Sequence, residues 1–358
     1  MAKGQTGIRA TGLAGLAGVA LLAGLAMWGA GHVEVASAAG PARAIKIALP
    51  PFYSSALAYI AADQEFWKAE GLEATLLSFA GGPLVNEAVL SGSVDFGMGV
   101  GVGPAVALAS RNARIVVIAS EAYTDGTSPP ELLVVRKDSP VTDVKQLDGK
   151  KVAIHAKGTL GHILMEATNR RFGIKPILLE IPSPNMWVAL SRGDLDAVFI
   201  ETPFPEQMKA QGARYLYGIP NKDVVPYLAA TVTLTTREFA EKNPETAQRV
   251  VKVILRTARW IMDHPEKARD IISNRLKYTP EVARLIHPQS FKWSRNAVHA
   301  MPSIRWWGQQ MQSLKLIQQP PNYEQYFVTT FIDAALKESP RVPDPDWEKT
   351  MAIPLPQS

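Results

Sequence analysis

The chain contains no cysteine. That absence excludes disulfides, thiolate metal sites, iron–sulfur clusters and a cysteine nucleophile, and leaves the fold to its core alone. It also leaves no thiol near the N-terminus to carry a lipid. Long apolar runs are scarce: one spans Gly12 to Gly31, and no second follows. No block of one charge sign occurs. Lys plus Arg number 38 against 33 for Asp plus Glu, spread along the chain, which gives no footing for nucleic acid. Catalytic signatures are missing as well. Gly97, Gly99, Gly101 and Gly103 never supply the third glycine of G-x-G-x-x-G, and no Walker A, H-E-x-x-H or G-x-S-x-G occurs. The 6 histidines lack metal-ligand spacing, so neither a metal nor a cofactor is expected.

What is present is a globular composition, 47% hydrophobic over 358 residues, enough for two lobes that each bury a core. Lys3 and Arg9 precede the apolar run, and the small residues Ala36-Ser37-Ala38-Ala39 follow it. This is the pattern of a secretory signal peptide over residues 1–39, cleaved near Ala38 or Ala39. A retained membrane anchor is the alternative, but Gly and Ala rather than Leu and Ile fill the run. An exported chain without a lipid suits the periplasm.

From Ile45 the pattern is strand, loop, helix, repeated. Ile45 to Leu49, Leu72 to Phe79 and Val94 to Met98 read as strands, with helices opening at Ser54 or Ser55, at Pro83 and at Pro104. A second unit follows Pro140, with strands over Lys151 to His155, Lys175 to Ile181 and Leu195 to Ile200. The units echo each other: Ala88-Val89-Leu90-Ser91-Gly92-Ser93-Val94-Asp95 resembles Ala189-Leu190-Ser191-Arg192-Gly193-Asp194-Leu195-Asp196. Ala229 to Leu234 reads as a returning strand. Helices then dominate, over Pro244 to Asp263, Pro265 to Leu276 and Ala297 to Leu316, and a Pro-rich tail begins at Pro340.

In open α/β sheets ligands settle outside the carboxyl ends of the strands. The loops there are Phe52-Tyr53-Ser54, Ala80-Gly81-Gly82, Gly99 to Gly103 (with Gly101 and Val102), Lys157-Gly158-Thr159 and Glu201-Thr202-Pro203. Helix N-termini at Gly82, Gly103 and Gly158 offer unpaired N–H groups for an anionic head. Phe52 and Tyr53 offer an apolar wall. Glu201 cuts the other way and favours an amine. His155 and His162 flank one loop and read as ordinary polar side chains rather than catalytic bases.

Several of these stretches resemble one family. Glu65-Phe66-Trp67-Lys68-Ala69-Glu70-Gly71-Leu72, Gly81-Gly82, Ala88 to Asp95, Gly103-Pro104, Val144 to Ala153 and Lys157-Gly158-Thr159 occur in its order. The chain resembles the nitrate/sulfonate/taurine-type ABC-transporter periplasmic solute-binding proteins, within the superfamily of thiamine-pyrimidine synthase, from Ile45 to Tyr217. The resemblance implies an α/β, two-lobed periplasmic-binding-protein fold of type II, with a hinge and a helical C-terminal extension. Lobe one would comprise residues 45–136 and 230–340, lobe two residues 137–229, and residues 341–358 an extended tail. Loops at Tyr53, Gly82, Val102, Thr159, Asn185 and Glu201 would line the cleft, although Glu201-Thr202-Pro203 stands where relatives often read Trp-Glu-Pro. The implied role is non-enzymatic: a monomer that delivers a small organic anion, a sulfonate or carboxylate, to an ABC permease in the inner membrane. Two alternatives remain open. One is an enzyme of the thiamine-pyrimidine-synthase or desulfinase kind. The other is a ligand-sensing subunit for a membrane receptor.

Overall fold

The parallel part of the first sheet starts where the buried Ile45 and Ile47 flank the exposed Lys46. The computed structural model describes residues 42–125, 131–216, 224–225, 227–288, 290–345, 347–348 and 355. The expected signal peptide and its cleavage site lie outside the described residues. Strand β1 (Arg43–Leu49) leads through helices α1 (Ala56–Asp63) and α2 (Phe66–Ala69) to β2 (Leu72–Ser78). Helix α3 (Gly82–Leu90), β3 (Phe96–Gly101), α4 (Val102–Ser110) and β4 (Ile115–Thr124) follow. The next unit runs β5 (Glu131–Val135), β6 (Lys151–Ile154), α5 (Leu160–Phe172), β7 (Ile177–Glu180), α6 (Ser183–Arg192), β8 (Ala197–Glu201), α7 (Phe204–Ala210) and β9 (Arg214–Tyr215). Strand β10 (Leu228–Thr236) then returns to the first sheet, and β11 (Lys292–Trp293) closes its edge.

The six-stranded sheet has the order β11-β4-β10-β3-β1-β2, and the five-stranded sheet the order β7-β6-β8-β5-β9. In each, three strands run parallel and the next is antiparallel: β10 against β3, β5 against β8. Every residue of β4 is buried, as expected of a central strand covered on both faces. The repeated sequence motif has one job in both sheets. Asp95 accepts the N–H of Lys46 at 2.7 Å and donates its own N–H to the Lys46 carbonyl at 2.9 Å. Asp196 does the same to Lys151, at 2.9 Å each way. Gly92 and Gly193, at φ +72° and +82°, make the turn that brings each aspartate to the first of the three parallel strands of its sheet.

Three boundaries differ from the sequence reading. Residues 131–135 pair with β8 and β9, so the first crossing between sheets falls before Glu131 rather than near Lys137. The pairing partner lies far along the sequence, which explains the difference: Leu132 to Val135 becomes a strand only against β8. The third strand starts at Phe96, because Asp95 is spent on Lys46. The last long helix spans Met301–Ser313, its start set by Pro302 in the first turn, with Ala297 at φ +53° before it. Elsewhere Pro244–Asp263 is helical as its apolar period requires, with Val250, Val251, Ile254, Leu255, Ala258 and Ile261 all buried. The start of the tail is pinned rather than loose. Asp344 accepts the N–H of Arg295 at 2.8 Å, and Trp347 meets Tyr123 edge-on with ring centroids 4.9 Å apart. No helix among the described residues is long and apolar enough to cross a membrane.

Candidate functional site

The parallel strands of both sheets end at one cleft of about 380 Å³. From the first sheet, Phe52 and Ser54 follow β1, Gly82 follows β2, and Gly101 ends β3. From the second, Lys157, Gly158 and Thr159 follow β6, and Glu201 ends β8. All eight line the cleft. Its apolar walls are Phe52, Leu108, Leu160, Phe199, Phe291 and Met311. Phe52 is fixed by edge contacts to His155 and Phe204, at 5.7 and 5.9 Å between centroids.

Four expected residues stand elsewhere. Tyr53 is fully buried behind the wall, its hydroxyl donating to the Pro288 carbonyl at 3.3 Å. Val102 is buried in the first turn of α4, where an apolar side chain turns to the core. Asn185 lies exposed on α6 and does not line the cleft. Gly81 faces His155, whose Nε2 would lie 3.2 Å from a Cβ there.

The lobes meet across this cleft. The Ser54 N–H donates to Glu201 at 3.2 Å, and the Tyr53 N–H to the Thr202 carbonyl at 3.4 Å. Gly103 approaches the Gly158 carbonyl so closely that a Cβ would sit 2.1 Å from its oxygen.

Several N–H groups around the cleft are engaged by the protein, and among the expected helix N-termini this holds for Gly158. Three buried glutamates take some of them. Glu201 serves Ser54, Glu131 accepts the N–H of Gly161 in the first turn of α5, and Glu121 accepts the N–H of Gly99 at 3.0 Å. Lys157 gives its N–H to Glu180 at 2.9 Å, and Gly158 donates to His162 Nδ1 at 3.0 Å. The Thr159 hydroxyl donates to the Ala156 carbonyl at 2.7 Å, which leaves it an acceptor toward the cleft. The Lys157 ammonium pairs with Glu180 at 3.5 Å on the rim.

Burial sets the titration of these groups. It pushes Glu201 up to about 7, with the Ser54 hydrogen bonds pulling the other way. Glu131 faces Glu201 directly in the β5–β8 register. Its carboxyl is raised well above the ordinary value by burial and then by the Glu201 charge. Glu121 is also pushed up to about 7 by burial, against the pull of its Thr233 and Gly99 hydrogen bonds. His155, whose Nδ1 lies 2.9 Å from the Ser183 hydroxyl, is lowered by burial and stays neutral at pH 7. Among the described residues no cluster of three or more His, Asp or Glu is placed to hold a metal.

Sequence reasoning missed Glu131, Asn86, Arg111, Ser183 and Thr231, all of which line the cleft. It also missed Glu121 beneath the floor. The signal was a lone carboxylate inside the apolar run Ile115 to Tyr123, and another leading Leu132 to Val135.

A family profile described as NMT1/THI5 like matches residues 53–268, well over half of the chain. A presumed binding protein of Brucella abortus (strain 2308) is 26% identical over 230 residues, 63% of this chain and 69% of its own length. Two solved structures are similar in fold. The ligand-binding component of an ABC-type import system from Staphylococcus aureus superposes with a TM-score of 0.68 at 17% identity, over 82% of this chain and 99% of that one. The periplasmic aliphatic sulphonate binding protein SsuA from Escherichia coli gives 0.65 at 20%, over 80% and 92%. The desulfurization enzyme DSZB shares the fold more distantly, with a TM-score of 0.62 at 14% identity over 83% of this chain and 99% of that one. These likenesses show the two-lobed periplasmic-binding-protein fold.

The buried carboxyls make stability depend on pH with a definite sign. The folded-state value of Glu121 lies above its ordinary 4.5, so folding favours the protonated form. The cost of its charge is absent below about pH 4.5 and fully present above about pH 7, where it reaches about 3 kcal/mol. Glu121→Gln is expected to flatten the fall in melting temperature between pH 5 and pH 8. Melting curves of both proteins across that range decide the matter, and a parallel fall in the two would contradict the assignment.

Proposed function

The chain belongs to the NMT1/THI5-like family, and we propose that it is the periplasmic solute-binding component of an ABC importer. It captures a small organic solute with an anionic head, a sulfonate or carboxylate, and presents the closed form to a permease in the inner membrane. The observation that carries this reading is the cleft itself. Strand ends of two like-ordered sheets converge on it, and Ser54 and Glu201 join the lobes across it. A volume of about 380 Å³ with mostly apolar walls suits a small organic molecule. Arg111 and Lys157 place positive charge on the lining. Bare nitrate would leave Phe52, Phe199 and Phe291 little to contact, so taurine-sized and larger organic anions rank above it. The sulphonate-binding name of the Escherichia coli neighbour supports the same choice.

The hinge of this reading is the two crossings, between β4 and β5 and between β9 and β10, which fall largely outside the described residues. The protein works as a monomer, with no cofactor and no nucleic acid. Its signal peptide is removed on export, so the mature chain begins at Ala39 or Gly40. Edman sequencing of the periplasmic fraction checks this, and a sequence starting at Met1 would contradict it.

A thermal-shift screen of sulfonates and carboxylates tests the binding role. Ligand at about 100 times its dissociation constant should add about 2.7 kcal/mol of stability. If no member of either class raises the melting temperature at millimolar concentration, the reading fails.

A further inference from the structure

We infer that the inner end of the cleft recognises a cationic nitrogen on the solute, an ammonium or amidinium group, seated against Glu131 and Glu201 and within reach of Asn86. The inference rests on the cleft being the solute site and deepens that reading: the solute carries a nitrogen donor in addition to its anionic head.

Three independent observations converge. First, Glu131 and Glu201 stand directly opposite each other on neighbouring strands, both buried or nearly so, both lining the cleft. No Lys or Arg among the described residues pairs with either. The basic lining groups are Arg111 and Lys157, and Lys157 is held by Glu180 on the rim. Burial without a counter-charge raises both carboxyls above the ordinary range, and the Glu201 charge raises Glu131 further. A cation between them removes that penalty and satisfies both.

Second, Asn86 is 7% exposed, lines the same cleft, and its Oδ1 has no hydrogen-bond partner. A buried acceptor left unmade is costly, and a solute donor would complete it. Third, the protein has already used the donors that an anion would need at this end. Ser54, Gly99 and Gly161 give their N–H groups to glutamates, and the Thr159 hydroxyl gives its proton to Ala156. What faces the solute is a set of acceptors, and a group rich in N–H donors is their complement. The positive end of α5 is likewise already met, by Glu131 rather than by a ligand anion.

The test is isothermal titration calorimetry of the mature chain with probe pairs that differ by the nitrogen. The pairs are 3-aminopropanesulfonate against propanesulfonate, 4-aminobutanoate against butanoate, and 4-amidinobenzoate against benzoate. In any pair that binds, the nitrogen-bearing member should bind at least tenfold tighter. Glu201→Gln and Glu131→Gln should each bring that ratio toward one. The wild-type comparison stands on its own should a variant fail to fold. Sulfonate or carboxylate binding with no gain from the nitrogen would overturn this inference while leaving the solute-binding role intact. A ratio that survives both substitutions would overturn it too. No binding by any probe would overturn both readings together.

Discussion

A backbone N–H turned toward a cleft must find an acceptor when the cleft closes over it and water leaves. In this protein three glutamates from distant parts of the chain provide those acceptors: Glu121 for Gly99, Glu131 for Gly161 and Glu201 for Ser54. The Gly99 bond ties β3 to β4 beneath the floor. The Gly161 bond fixes the first turn of α5 against β5. The Ser54 bond joins the lobes. The shape of the cleft and its electrostatic character therefore have one origin, since each carboxyl that secures a loop also adds negative potential where the solute sits. Burial raises all three toward neutrality, which limits that potential near pH 7.

The two sheets are built by the same device. An aspartate after a glycine turn grips the backbone of the first parallel strand from the third, Asp95 to Lys46 and Asp196 to Lys151. With the third strand fixed to the first, the strand ends line up, and the loops that follow them come to the same side. Close approach then finishes the cleft. Gly103 and Gly158 meet with no room for a side chain, and Trp307 lies behind Gly103, where a Cβ would be 2.6 Å from its ring.

Much of this was legible in the sequence because Gly and Pro punctuate the elements. Gly71, Gly92, Gly173 and Gly193 all take positive φ where a helix gives way to the next strand. Pro244 and Pro265 open their helices where expected. The repeat of Ala88 to Asp95 in Ala189 to Asp196 correctly marked two like units, and the shared hydrogen bonds explain why. The cleft loops were also legible, since strand ends follow from strand order. What they bind was less so. The N-terminus of α5 near Gly158 read as an open anion site because a sequence does not show that Glu131, thirty residues away, will take the Gly161 N–H, or that His162 will take that of Gly158. The same blindness hid Glu121, which pairs only once β4 lies between β10 and β11. Tyr53 failed for a simpler reason: it opens the 3-10 turn Tyr53–Ser55, which buries its ring and sets its hydroxyl on the Pro288 carbonyl while Phe52 before it faces the cleft.

The central claim is that a solute is captured when two lobes close on it. Small-angle X-ray scattering of the mature protein, with and without the solute that gives the largest thermal shift, tests it most directly. The account predicts a smaller radius of gyration in the bound form, as rotation about the two crossings shuts the cleft. An unchanged radius at saturating solute would contradict capture by closure and would leave a preformed, rigid pocket in its place.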